Sequence, residues 1–219
     1  AACFLLIAQL SDSGLDAKSV ALLGTLAALL AALRPLGAGA VGIEPMWFLL
    51  IIAARVFGSA FGFLLGFLGM LTSAILTGGF GPWLAYQVFA AALVGAGVAI
   101  IPSRISGKLE IALLALYGAL ASEVFGIAMD LQLWPWSLGS STNLSYRAGA
   151  PVTENLSHFF QYHFLSALAW DIPRAVLTAF LIIVVGKPAL NALRRARHKA
   201  AFATHAEFTE LADVRFNHR

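Results

Sequence analysis

From Val56 to Ser103 the chain runs for 48 residues without an Asp, Glu, Lys or Arg. A helix that crosses about 30 Å of hydrocarbon needs roughly 20 mostly apolar residues, so this run predicts two spanning helices and one tight connection. The connection falls at "GGFGPW". Gly78, Gly79 and Gly81 permit turn conformations, Pro82 suits the first turn of the next helix, and Trp83 carries the amphipathic ring favoured at a headgroup boundary. Along the whole chain the pattern predicts hydrophobic segments at 1–10, 19–33, 45–57, 58–77, 83–101, 109–131 and 172–190. The 45–57 segment is short for a span, and Arg55 near its end is expected to snorkel to the interface. The expected architecture is an all-α integral membrane protein. It comprises a six-helix transmembrane bundle at 17–195, an extra and partly missing N-terminal helix at 1–10, and a cytoplasmic tail at 196–219.

Composition agrees with this picture. The chain is 60% hydrophobic and 11% charged, with a mean hydropathy of +0.84, whereas soluble domains carry about a quarter charged residues. A single cysteine, Cys3, excludes an intrachain disulfide and a thiolate metal cluster. Net charge is +3, with basic residues concentrated toward the C-terminus, a pattern that speaks of membrane topology and not of nucleic acid. With residue 18 in the cytoplasm, the inner side collects Lys18, Arg55, Arg104, Lys108, Lys187, Arg194, Arg195, Arg197 and Lys199. The outer side holds Arg34, Arg147 and Arg174. "RPLGAGAVGIEP", "GGFGPW" and 132–157 then lie outside, and the C-terminus lies in the cytoplasm.

Small residues recur at helical spacing. "GSAFGFLLG" sets Gly58, Gly62 and Gly66 four apart, and "GTLAALLAAL" does the same with Gly24, Ala28 and Ala32, with Ala27 and Ala31 beside them. Such stripes let helix backbones approach closely, either within one chain or against another membrane subunit.

Few charges fall at membrane depth, and those that do are candidates for function. Glu123 and Asp130 are seven apart and share a helical face, where each is open to a polar neighbour, a cap or a ligand. Asp171 and Arg174 in "WDIPRA" open the last apolar segment, with Pro173 in its first turn, and can form a structural ion pair or face a ligand. Tyr86 and Gln87 lie one turn below the "GGFGPW" boundary and offer an aromatic ring and an amide. The segment "LWPWSLGSSTNLSYRAGAPVTENLSHFFQYHF" adds Trp134, Asn143 and Tyr146 as binding candidates, although Trp134 and Trp136 also suit an interface belt. His158 and His163, with no carboxylate beside them, make a poor metal site, and no metal site is expected.

Catalytic patterns fail on inspection. "SGKL" from Ser106 lacks the upstream Gly and the Ser or Thr after Lys108 of a phosphate loop. Ser59 has no His at comparable depth to activate it. The chain is expected not to be an enzyme.

The stretches "LAALLAALRPLGAG", "FGFLLGFLGMLTSAILTGGFGPWLAYQVFAAALVGAG" and "WDIPRAVLTAFLIIVVGKPAL" together resemble the substrate-binding S components of energy-coupling factor (ECF) transporters, vitamin importers of the ATP-binding cassette class. The similarity spans about 17–195. The "GGFGPWLAYQ" turn is most similar to that of cobalamin-type members. The resemblance implies a vitamin held near the outer face by residues such as Arg34, Trp83, Tyr86, Gln87, Glu123, Asp130, Trp134, Asn143, Tyr146, Asp171 and Arg174. It also implies a transmembrane T component docking on Gly24 and on Ala27 with Ala31 or Ala28 with Ala32, and two ATPases that use ATP and Mg, leaving no cofactor in this chain. An extra helix ahead of the usual six departs from the family. The other expectation the sequence admits is a structural or assembly membrane protein whose outer loop binds a protein partner.

After Lys199 the hydropathy collapses, and "AEFTELADVRFNHR" alternates in a strand-like manner, with Phe208, Leu211, Val214 and Phe216 as its apolar members. Its "VRF" resembles the opening strand of ATP-binding cassette ATPase domains. Together with the absent initial Met, this raises the expectation of a longer polypeptide fused to its own ATPase.

Overall fold

The computed structural model describes residues 17–37, 42–139 and 142–216, with side chains as far as residue 198 except at 17 and 137. The helix expected at 1–10 lies outside the described residues. Every regular element among them is helical: α1 (Ala17–Leu33) with a 3-10 turn at Arg34–Gly37, α2 (Met46–Phe57), α3 (Ser59–Thr77), α4 (Leu84–Gly97) with a 3-10 turn at Val98–Ile100, α5 (Gly107–Ser137), α6 (Val152–Ser166) and α7 (Leu168–Phe216).

Among the described residues, four stretches are long and apolar enough to cross a bilayer: Lys18–Gly37, Ser59–Thr77, Gly107–Trp136 and Leu168–His198. That is the make-up of a membrane protein. The expected count of six spans is not reached on length. Met46–Phe57 and Leu84–Ile100 are apolar but shorter, and the 12 residues of α2 rise only about 18 Å at 1.5 Å each. The reason lies in where α2 sits. Its residues Leu50, Ile51, Ile52 and Ala53 are all buried, and it packs against α1, α3, α4, α5 and α7. A helix apolar on all sides and enclosed by others is a core helix and need not match the bilayer thickness.

Glycine sets the corners. Gly58 at φ +99° separates α2 from α3, and Gly78 at φ +66° stops α3, with the N–H of Gly78 and of Gly79 both returning to the Ala74 carbonyl. α4 starts only at Leu84, so Pro82 precedes the helix and does not occupy its first turn.

The small-residue stripes divide. A Cβ at Gly62 would come within 2.6 Å of the Gly95 carbonyl oxygen, and one at Gly66 within 2.3 Å of that of Ala91. Gly62 and Gly66 therefore serve backbone contact between α3 and α4 within the chain. On α1, Ala27 and Ala31 are buried, whereas Gly24, Ala28 and Ala32 lie exposed, with open space where a Gly24 Cβ would stand.

α5 and α7 run antiparallel in close contact. Gly118 faces Thr178 and Ile182, and Gly186 faces Ile111. At one end of this pair the Arg55 side chain is buried instead of snorkelling. Its Nε donates to Glu110 Oε1 at 2.7 Å, and its Nη atoms donate to the carbonyls of Ile101, Pro102 and Ile105. Arg194 reaches the same Glu110 oxygen at 2.6 Å, and Arg197 donates to the Val56 carbonyl. A buried carboxylate from α5 is what holds Arg55 inside. Arg104 and Lys108 lie exposed close by, so this is the basic end of the bundle.

Three sequence expectations are corrected along α6 and α7. The segment after α5 is not one long loop, because α6 occupies 152–166, and α7 begins at Leu168, which puts Pro173 in its second turn. The strand-like reading of 206–219 gives way to helix as far as Phe216. Ala, Leu, Glu and Arg dominate from 189 onward, and their helix propensity outweighs the alternation.

Candidate functional site

At the end of the bundle opposite Arg55, where the connecting residues 34–37, 42–45, 78–83 and 142–151 lie, charged side chains gather between helices. Arg174 from the second turn of α7 is the hub, buried with its side chain 8% exposed. Its Nε donates to Glu44 Oε2 at 3.0 Å, its Nη1 donates to Asp171 Oδ1 and to the Ser122 carbonyl, and its guanidinium lies 5.1 Å from the centroid of the Phe125 ring. Glu44 Oε2 also accepts from Trp47 Nε1 at 2.8 Å, and the Trp47 ring meets Phe125 at 4.5 Å. One arginine thus ties the 42–45 connection to α5 and α7. Asp171 is fully enclosed because α5 presents Gly126 to it. A Cβ there would overlap the Asp171 carboxylate, with only 1.8 Å to Oδ2.

The second half of the cluster is centred on His163 of α6. Its Nδ1 is 2.8 Å from Asp130 Oδ2, and its Nε2 is 3.8 Å from Glu123 Oε2. Seven residues apart on α5, the two carboxylates reach the two sides of one imidazole. One ligand atom each from Glu123, His163 and Asp171 lies within 4.8 Å of the others. The sequence reading that set His163 aside for want of a carboxylate is corrected here, since the carboxylates come from α5, not from its own segment. The local signal was the pair Phe159 and His163, four apart, which form the buried face of α6. Glu44, also outside the sequence candidates, shows itself only as an acidic residue in a Gly-rich connection.

The remaining candidates separate into other groups. Arg34 and Gln87 meet, with Nη2 donating to Gln87 Oε1 at 3.3 Å and Nη1 to Ser73 Oγ at 3.4 Å. Gln87 therefore bonds the turn after α1. Trp83 and Tyr86 are exposed. Tyr86 edges an apolar groove of about 930 Å³ between α4 and α5, whose walls include Phe89, Leu93, Tyr117 and Leu120. Trp134 is buried, not part of an interface belt. Its Nε1 donates to the Leu144 carbonyl at 2.6 Å, and its ring sits edge-on to Tyr146 and Phe159. Trp136 is exposed, as is Asn143 in the following turn. Asn155 brackets the backbone of Arg147, and His158 lies 3.0 Å from the Ser145 carbonyl. The 142–151 connection is thereby fastened onto α6.

No protein-family model, no curated protein and no solved structure matches the chain. What the site offers chemically is a partly enclosed, carboxylate-rich set of groups with one permanent cation and one imidazole, suited to holding a polar or cationic ligand.

Proposed function

We propose that the chain is the membrane-embedded substrate-binding subunit of an ECF-type importer in a bacterial cell membrane, capturing a vitamin or related micronutrient at the outer face, with its C-terminus in the cytoplasm. The observation that carries the reading is the charged cluster around Arg174 at the end of the bundle opposite the Arg55–Glu110 network. Charges at such depth are costly and mark ligand sites more often than they mark packing. The resemblance of 17–195 to S components supplies the partners: a transmembrane T component and two ATPases, separate or fused, that use ATP and Mg. The role proposed for this chain is non-catalytic.

Affinity purification from the native membrane tests this. The T component and ATPases are expected to accompany the chain, and mass spectrometry is expected to find a small organic ligand released on denaturation. A chain that purifies with neither is a scaffold, the alternative role.

Docking is the further expectation. The exposed stripe Gly24, Ala28 and Ala32 is the face on which the T component would sit. Ala28→Leu should leave ligand binding and melting temperature unchanged while removing the partners from the purified complex, because a bulky side chain blocks close helix approach. Ala31→Leu does not test docking. Ala31 is wholly buried, and overpacking there costs about 1–3 kcal/mol of fold stability. Wild-type partner yield with Ala28→Leu would move the coupling face elsewhere.

A further inference from the structure

Carboxylates outnumber basic groups in the cluster. Glu44, Glu123, Asp130 and Asp171 surround one guanidinium, Arg174, and one imidazole, His163. A buried carboxylate is kept ionised by a nearby cation and otherwise takes up a proton. Three geometric observations point to a cation. The ligand atoms of Glu123, His163 and Asp171 converge within 4.8 Å. Donors on one ion, bound at about 2.0–2.2 Å in tetrahedral array, stand roughly 3.4 Å apart, and His163 Nε2 and Glu123 Oε2 are already 3.8 Å apart. Asp130 occupies the other ring nitrogen of His163, at 2.8 Å, the carboxylate–histidine pairing that fixes the tautomer and turns the Nε2 lone pair toward a metal. Asp171 is 1% exposed, and its Oδ2 is buried without a hydrogen-bond partner among the described residues.

We propose that Glu123, His163 and Asp171 bind a divalent transition-metal cation, with Asp130 as the positioning residue for His163. One imidazole and two carboxylates suit Zn²⁺, Co²⁺ or Ni²⁺, whereas Mg²⁺ and Ca²⁺ favour all-oxygen sets. Glu123, with its side chain 34% exposed, is the ligand on the accessible side and marks the entry.

The test uses the full chain purified in detergent, stripped with chelator and titrated with zinc chloride in a calorimeter, with metal content measured after gel filtration. One Zn²⁺ per chain is expected, undisturbed by excess Mg²⁺. His163→Gln and Glu123→Gln should each lower the affinity by at least about 100-fold, and Asp130→Asn by about 10–100-fold. Cobalt loading adds a readout that a merely structural role would not move, because the visible absorption of bound Co²⁺ should shift in Asp130→Asn. Folded wild-type protein that takes up no Zn²⁺, Co²⁺ or Ni²⁺ overturns the proposal. So does wild-type affinity in a folded His163→Gln or Asp130→Asn variant. The measurement needs neither partners nor transport, so its failure leaves the importer reading standing, and failure of that reading leaves the metal site standing.

Discussion

Replacing Glu110 with Ala is expected to lower the stability of the bundle by about 3–5 kcal/mol, the cost of removing one partner from a buried ion pair. The Glu110 side chain is 2% exposed and takes both Arg55 and Arg194 on the same oxygen. Without it, the buried Arg55 guanidinium loses its carboxylate, and Arg55 cannot leave without releasing the carbonyls of Ile101, Pro102 and Ile105, whereas Arg194, with its side chain 41% exposed, can turn to solvent. Unfolding in mixed micelles, followed by circular dichroism, measures the loss. Replacing Arg55 with Met and Glu110 with Leu together should recover part of it, because an apolar pair removes both charges at once. Recovery stays incomplete, since three carbonyls lose their donor. A loss under about 1 kcal/mol for Glu110→Ala would show that water screens the pair as it does at a surface.

The second large effect is expected at Gly126, where even Ala should break the site. The new methyl group would overlap both Asp171 carboxylate oxygens, 1.8 Å from Oδ2 and 2.4 Å from Oδ1. The carboxylate must then swing away, Arg174 keeps only Glu44 as its carboxylate partner, and stability falls toward the loss expected of a broken buried pair, about 3–5 kcal/mol. Gly24→Ala is the matched control. It meets nothing within 4 Å, and helix propensity alone should make it neutral or stabilising by up to about 1 kcal/mol. A double-mutant cycle separates the clash from any general intolerance of α5. Gly126→Ala combined with Asp171→Ala should be no less stable than Asp171→Ala alone. Additive losses would place the steric conflict on the backbone of α7 and not on the carboxylate.

How far these features are legible in the sequence depends on whether their cause is local. The stop at Gly78, the apolar length of α3 and the shared face of Glu123 and Asp130 follow from adjacent residues and helical period. The fate of Arg55 does not. Whether an arginine near a helix end snorkels or turns inward is decided by its partner, and Glu110 lies 55 residues further on. His163 hid for the same reason, since Asp130 is 33 residues away on another helix. α6 escaped the apolar pattern because only Phe159 and His163 of its 15 residues are buried, too thin a stripe to register as hydrophobic. The stripes on α1 were visible as spacing, but which alanines face inward is settled by the Leu30 side chain seating against Gly69 of α3.

The two ion networks straddle the same helix pair, and this limits how the bundle can move. α5 and α7 are fastened by Glu110 with Arg194 at one end and by Arg174 with the Ser122 carbonyl towards the other, with the close fit of Gly118 against Thr178 between them. A slip of one helical turn, about 5.4 Å, would have to break both latches together, so the pair behaves as a single strut. α3 and α4, whose backbones touch at Gly62 and Gly95, form a second rigid unit. Between the two units runs the apolar groove of α4 and α5, bridged by the bond from Tyr117 Oη to the Val94 carbonyl. Parting the two units would have to break that bond and uncover the core helix α2, which packs against both of them.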